Sequence, residues 1–186
     1  IVMNEGVIAS RYAKALLKYV QESGGGRKVY SQACVLALRM MEVSQLREFV
    51  ENHGEISIDT KAELMKSALG EEPAPEIMDF LRLVASRRRM GYFSRMLYSF
   101  IALYRVENNL KVGRVMTAAP VDGLKERLEK LFHERTGAEI QIHEKVNPEI
   151  LGGFVFEMDG YMLDASVETQ LRRIRRQLIE KNNRIV

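Results

Sequence analysis

The chain has 186 residues, 46% of them hydrophobic and 28% charged, with a formal net charge of +3. That composition supports one domain or two small ones with real cores and excludes a disordered chain. Neither half carries the basic excess of a nucleic-acid binder, and no run of about 18 apolar residues offers a membrane span.

Ile1 to Ser10 lacks the basic-then-apolar pattern of a signal peptide; one reading makes Met3 the start and Ile1-Val2 a remnant. From Glu5 to about Glu107 the chain reads as helix after helix. The first spans roughly Glu5 to Glu22, with Ile8, Tyr12, Ala15, Leu16 and Tyr19 at spacings of three and four, and Ser23-Gly24-Gly25-Gly26 stops it. Lys28 to Glu51 reads as two helices meeting near Val43-Ser44, closed by Asn52-His53-Gly54. It includes the single cysteine, Cys34, as a small core residue. A Thr60-x-x-Glu63 capping box opens the next helix, and Gly70 ends it. Pro75 suits a first-turn position; the helix after it shows Ile77, Phe80, Leu81 and Val84 on one stripe, with Arg87-Arg88-Arg89 at its dipole-favoured C-terminal end. The last helix of this half runs from about Gly91 to Asn108 and carries Phe93, Met96, Leu97, Phe100, Ile101 and Tyr104.

The period then changes. Lys111 to Ala119 reads as a strand ended by Pro120. Asp122 is a candidate N-cap for a helix from Gly123 to about Thr136, with Leu124, Leu128, Leu131 and Phe132 inward. Glu139 to Val146 is a second strand. Phe154–Met158 and Tyr161–Leu163 form a hairpin around Asp159-Gly160, and Ser166 begins a helix whose seam, Val167, Leu171, Ile174 and Leu178, is expected to pack on that hairpin, which is too short to be stable alone. The expected fold is α+β. An N-terminal six-helix bundle, residues 1–107, precedes a small α/β domain, residues 108–186, that holds a β-hairpin and a C-terminal helix.

Catalytic signals are weak. The histidines His53, His133 and His143 are scattered, and none has metal-ligand spacing with another His or Cys, so no metal and no cofactor are expected. Gly152-Gly153 could cradle a phosphate only with a helix N-terminus directly behind it, and an apolar strand follows instead. Close backbone approach is the better reading, which leaves a phosphate-loop enzyme the weakest class. Arg172, Arg173, Arg175 and Arg176 surround the apolar seam of the last helix without forming one stripe. That arrangement admits a solvated face, an acidic protein partner, or an RNA- or ribosome-associated protein as the alternative function.

Asn147-Pro148-x-x-Leu151-Gly152-Gly153, the apolar strand after it and Leu163-Asp164-x-Ser166-Val167 closely resemble the C-terminal signature of the delta subunit of the rotary ATP synthase, the oligomycin-sensitivity-conferring protein of mitochondria. Arg11-Tyr12-Ala13-Lys14-Ala15-Leu16, Phe80-Leu81-Arg82-Leu83-Val84 with Arg89, and Val115-x-x-Ala118-x-Pro120 are similar to further family motifs. Ala165, Glu168 and Arg88 depart from it, standing where the family most often has glycine, a basic residue and glycine.

The resemblance implies a non-catalytic stator subunit of the proton-translocating enzyme, peripheral to the membrane and at the cytoplasmic face of the bacterial inner membrane. In that family the helical domain holds the N-terminal segment of an alpha subunit in a groove between its first and fifth helices. Carried onto this sequence, the groove involves Tyr12, Ala15, Tyr19, Phe80 and Leu83, although on periodicity alone the Tyr12/Ala15/Leu16 stripe is plain core; Leu16 is read as core, and Tyr12 and Ala15 as facing the groove. The C-terminal domain engages the b subunits of the peripheral stalk, through Leu171, Arg172, Ile174, Arg175 and Leu178. Gly152, Gly153, Asp164 and Ser166 carry the family motif.

Overall fold

The computed structural model describes residues 5–52 and 56–182; Ile1–Met3, His53 and Gly54 lie outside the described residues. The chain divides after Glu107 into two compact units. In the first, α1 (Glu5–Ser23), α2 (Gly26–Glu42), α3 (Ser44–Glu51), α4 (Ile58–Leu69), α5 (Pro75–Ser86) and α6 (Phe93–Glu107) follow one another, with a 3-10 turn at Met90–Tyr92 before α6. The stripes of three- and four-residue spacing become the core: Leu16, Leu36, Met40, Met65, Ile77, Leu81, Phe93, Met96, Leu97 and Phe100 are all buried. The break inside residues 28–51 falls at Val43, whose extended backbone ends α2 and leads into α3.

Two expected helix starts move. Ser57, not Thr60, caps α4: its Oγ accepts from the Thr60 amide at 3.1 Å, so Thr60 lies inside the first turn and the Thr60–Glu63 box is not the cap. The last helix of the unit begins at Phe93 and not at Gly91, because Met90–Tyr92 winds more tightly.

Two buried polar side chains knit the connections. Gln32, on α2, donates to Glu71 Oε1 (2.7 Å) and the Glu72 carbonyl (3.0 Å) and accepts from the Ala74 amide (2.7 Å). All its needs are met within the linker between α4 and α5. Lys61 donates to the Val50 and Asn52 carbonyls at the end of α3, and burial pushes its pKa down. A buried cation that caps the carbonyl end of a helix satisfies acceptors that the helix itself leaves open.

In the second unit β1 (Leu110–Thr117), α7 (Leu124–Thr136), β2 (Glu139–Val146), a 3-10 turn at Pro148–Ile150, β3 (Phe154–Met158), β4 (Tyr161–Asp164) and α8 (Val167–Asn182) occur in that order. The sheet order is β2-β1-β3-β4. β1 and β2 are parallel, with α7 as the crossover, while β3 runs antiparallel to both β1 and β4. Asp159 and Gly160 both take positive φ, 51° and 81°, as the tightest two-residue hairpin turn demands.

α7 covers the face that carries Val115, Ile140, Ile142 and Phe156, and brings Leu124, Leu128 and Phe132 to it. The Phe132 and Phe156 rings stack at 4.8 Å. Leu131 does not join them and is 44% exposed: Leu124, Leu128 and Phe132 recur every four residues, and Leu131 falls on their flank. Asp122 makes no cap either, since Gly123 takes the N-cap position with φ 68° and no side chain bonds there.

The largest departure is α8. Its seam was expected to pack on the hairpin; instead Val167, Leu171, Ile174 and Leu178 are 38%, 52%, 52% and 59% exposed. The apolar layer of the sheet is already filled by α7. On the outer strand β4, Tyr161, Met162 and Leu163 stay exposed.

Candidate functional site

Two surfaces carry the sequence-derived site residues. The first is a groove between α1 and α5. The helices run antiparallel, shown by three cross-contacts in register. Arg89 donates to the Tyr12 hydroxyl (3.0 Å), Tyr19 donates to Asp79 Oδ2 (3.0 Å), and the Ser23 hydroxyl donates to Glu76 Oε1 (2.7 Å). Between them lies a cavity of about 170 Å³ lined by Ala15, Leu16, Tyr19, Asp79, Phe80 and Leu83. Ala15, Tyr19, Phe80 and Leu83 are therefore brought together.

Tyr12 does not line this cavity. It is buried beneath it, its ring edge-on to Phe80 and its other side under the Arg89 guanidinium, 5.4 Å from the ring centroid. The reason is angular: Tyr12 and Leu16 sit one turn apart on the inward flank, while Ala15 stays outside. Leu16 and Asp79 complete the lining and were absent from the sequence-derived set. Asp79 could have been found as the acidic residue one turn before Leu83 on the same stripe. The hydrogen bond to its carboxylate raises the Tyr19 pKa.

The second surface is the junction from β4 into α8. Asp164 Oδ1 accepts from the Ser166 amide (2.9 Å) and hydroxyl (2.6 Å), and Oδ2 accepts from the Thr169 hydroxyl (2.7 Å). The Ser166 hydroxyl in turn accepts from the Thr169 amide (3.2 Å). Together they cap the start of α8. Backbone pairs lock the junction underneath: the Val167 amide to the Gly152 carbonyl (3.0 Å) and the Ala165 amide to the Phe154 carbonyl (2.9 Å).

The glycine pair is where the chain passes under this cap. A Cβ on Gly153 would lie 2.2 Å from the Ala165 carbonyl oxygen, and one on Gly152 3.0 Å from Val167 Cγ2. The space a phosphate would need is filled by the chain's own backbone, and β3 follows at Phe154 in place of a helix, which removes the phosphate-loop reading. Beyond the junction, Leu171, Ile174 and Leu178 form the exposed apolar seam. Arg172, which pairs with Glu168, and Arg175 are exposed beside it.

The Ser166 hydroxyl and amide and the Thr169 hydroxyl hold the Asp164 carboxyl down to about 2, against an ordinary 3.8. A depressed folded-state pKa means stability that is present above about pH 4 and lost as the pH falls towards 2. The Asp164 side-chain carboxyl carbon should therefore titrate by NMR with a midpoint near 2, and the amide of Thr169 should follow it. A midpoint at the ordinary value would show that the cap does not form in solution.

The helical unit presents an open apolar groove and the α/β unit an exposed apolar helix. Comparison with known proteins gives the family. The profile of the ATP synthase delta (OSCP) subunit family matches residues 8–178. The ATP synthase subunit delta of Phocaeicola vulgatus is 38% identical over 97% of this chain and 98% of its own length. That of Bacteroides fragilis is 36% identical over 99% of this chain and all of its own length. Among solved structures, a chain of the Toxoplasma gondii mitochondrial ATP synthase hexamer matches with a TM-score of 0.56 at 20% identity, covering 92% of this chain and 97% of that one; at that identity the likeness speaks for the fold alone. The chain belongs to the ATP synthase delta (OSCP) subunit family. It is a structural, non-catalytic subunit, part of the stator of an enzyme that couples proton transport to ATP synthesis. It is peripheral to the membrane complex, and among the described residues no helix is long and apolar enough to cross a membrane.

Proposed function

We propose that this chain ties the catalytic head of the ATP synthase to its peripheral stalk, with a different unit serving each end. The first unit acts as a six-helix bundle on the head and holds the N-terminal segment of an alpha subunit in the groove of Ala15, Leu16, Tyr19, Phe80 and Leu83. The second unit takes the b subunits along Leu171, Ile174 and Leu178 with Arg172 and Arg175 beside them. The complex so joined would lie at the cytoplasmic face of a bacterial inner membrane. The observation that carries this reading is that each unit leaves apolar surface uncovered where the sequence-derived site residues lie: a groove of about 170 Å³ between α1 and α5 in the first, a helix seam half exposed along its length in the second.

The mechanics follow from the motor. Catalysis in the head exerts torque on the rotor, and the head turns with it unless it is held. Holding needs buried anchors, and an amphipathic helix laid into a groove supplies them. Ala15 is exposed at the rim, and its small side chain lets a partner helix approach closely. Ala15→Asp should place an unpaired carboxylate in that apolar contact and weaken binding of the alpha-subunit segment by about 2 kcal/mol, about 30-fold. The check is calorimetry with the purified alpha-subunit N-terminal peptide. If the variant keeps its native circular dichroism and binds with unchanged affinity, the groove is not the site.

A further inference from the structure

The groove is polar along its length as well as apolar along its floor. On α1 the outward stripe beside the cavity is Arg11, Ala15, Lys18 and Glu22, recurring at spacings of three and four. On α5 the facing stripe is Glu76, Asp79 and Leu83, and Arg87 follows at the helix end. Because the helices are antiparallel, with Tyr12 beside Arg89 and Ser23 beside Glu76, the charges of the two stripes fall in register. Arg11 and Arg87 fall at one end and Glu22, Glu76 and Asp79 at the other, with Lys18 one turn before Glu22. All but Glu76, which is half-buried, are exposed. Arg82 offsets part of the acidic end by pairing with Asp79 at 3.1 Å, but it does so at 59% side-chain exposure, where an ion pair is weak and easily exchanged. Glu76 and Asp79 lie one turn apart on α5 and meet Ser23 and Tyr19 of α1, so they form one acidic patch at this end.

We infer that the groove selects a bipolar amphipathic helix, one that presents lysine or arginine over the Glu22–Glu76–Asp79 end and carboxylates over the Arg11–Arg87 end, and that this charge order fixes the direction in which the helix lies. This deepens the proposed function and rests on it: the floor supplies affinity, and the poles supply orientation and partner choice. Rim charges of this kind act on register and discrimination more than on total affinity. They also reject the reversed helix, which would set like charges against each other at both ends.

The test uses the full-length protein and three synthetic peptides of about 18 residues, or five helical turns. All share one Leu/Ile/Ala seam. The first carries glutamates in its N-terminal half and lysines in its C-terminal half, the second only lysines, the third only glutamates. The bipolar peptide should bind about tenfold more tightly than either single-sign peptide in low-salt buffer. The advantage should shrink in about 0.3 M salt, where the screening length falls to about 6 Å. A nitroxide on its lysine end should broaden the amides of Glu22 and Asp79, and one on its glutamate end those of Arg11 and Arg87. In the paired variant Arg11→Glu with Glu22→Lys, which touches only exposed side chains, the tenfold preference should fall to about twofold or less. Equal affinity for all three peptides, or broadening at the wrong ends, overturns the polarity while the groove stands. If the bipolar peptide and the alpha-subunit segment both leave the amides of Leu16, Phe80 and Leu83 undisturbed, the groove reading itself fails.

Discussion

Removal of residues 171–186 should abolish attachment to the peripheral stalk and uncouple the enzyme while leaving its chemistry intact. The cut keeps Asp164, Ser166 and Thr169, so the cap and the Gly152–Val167 pairing remain. It removes the part of α8 that bears Leu171, Ile174 and Leu178, each more than half exposed, which the sheet does not need: the core around Val115, Ile142 and Phe156 is closed by α7. The truncated protein should therefore melt close to the full-length one. Its affinity for a soluble b-subunit dimer should fall by about 100-fold or more, as expected when several central apolar anchors are lost at once. ATP hydrolysis by the detached head should be unchanged, because no catalytic group is touched. Proton pumping in stripped membranes should fail, because the head is no longer held against the rotor. Pumping restored by the truncated protein to the full-length level would sink the assignment of the stalk site to α8.

What the sequence shows and what it hides are both visible in α8. Its three- and four-residue spacing marks an apolar face, but periodicity does not say whether the rest of the chain covers it, and here the chain leaves it exposed. The same limit separates Tyr12 from Ala15. Both lie near one stripe; the first is core, held by Arg89, and the second is rim. Local signals did better. The break at Val43, the span of β2 and the Asp159-Gly160 turn rest on nearest-neighbour chemistry, and all three stand in the structure. Choices between neighbours of equal propensity did worse. Ser57 and Thr60 are both good caps, and the extended backbone at Ser57 decides between them. Sheet order was not legible, because parallel pairing of β1 with β2 depends on where the α7 crossover lands. Nor was the role of Asp164, which emerges only when β4, Ser166 and Thr169 meet in space.

Gly153→Ala should cost the second unit more stability than any other single methyl added to this chain's glycine turns. Gly153 has φ +72°, a region in which a Cβ alone costs roughly 1 kcal/mol. The added carbon would also stand 2.2 Å from the Ala165 carbonyl oxygen, 3.2 Å from its carbon and 3.3 Å from Ser166 Cα. These are backbone atoms, pinned by the Ala165–Phe154 and Val167–Gly152 hydrogen bonds, so they cannot swing aside as a side chain would. Relief requires breaking the junction that carries α8, and the expected loss is about 3 kcal/mol or more. Two controls separate the causes. Gly160→Ala shares the positive φ but meets open space, so it should cost only about 1 kcal/mol. Gly152→Ala lacks the positive φ and meets only the tip of Val167, which is 38% exposed and can turn away, so about 1 kcal/mol is again expected. Thermal unfolding followed by NMR separates the units: signals of β3, β4 and α8 should broaden or vanish at a lower temperature in Gly153→Ala, while those of Leu81, Phe93 and Phe100 hold. If the three variants melt within a degree or two of one another, the close approach at Gly153 is not what fixes the junction, and the glycine pair must matter for some other reason than the passage of the chain beneath α8.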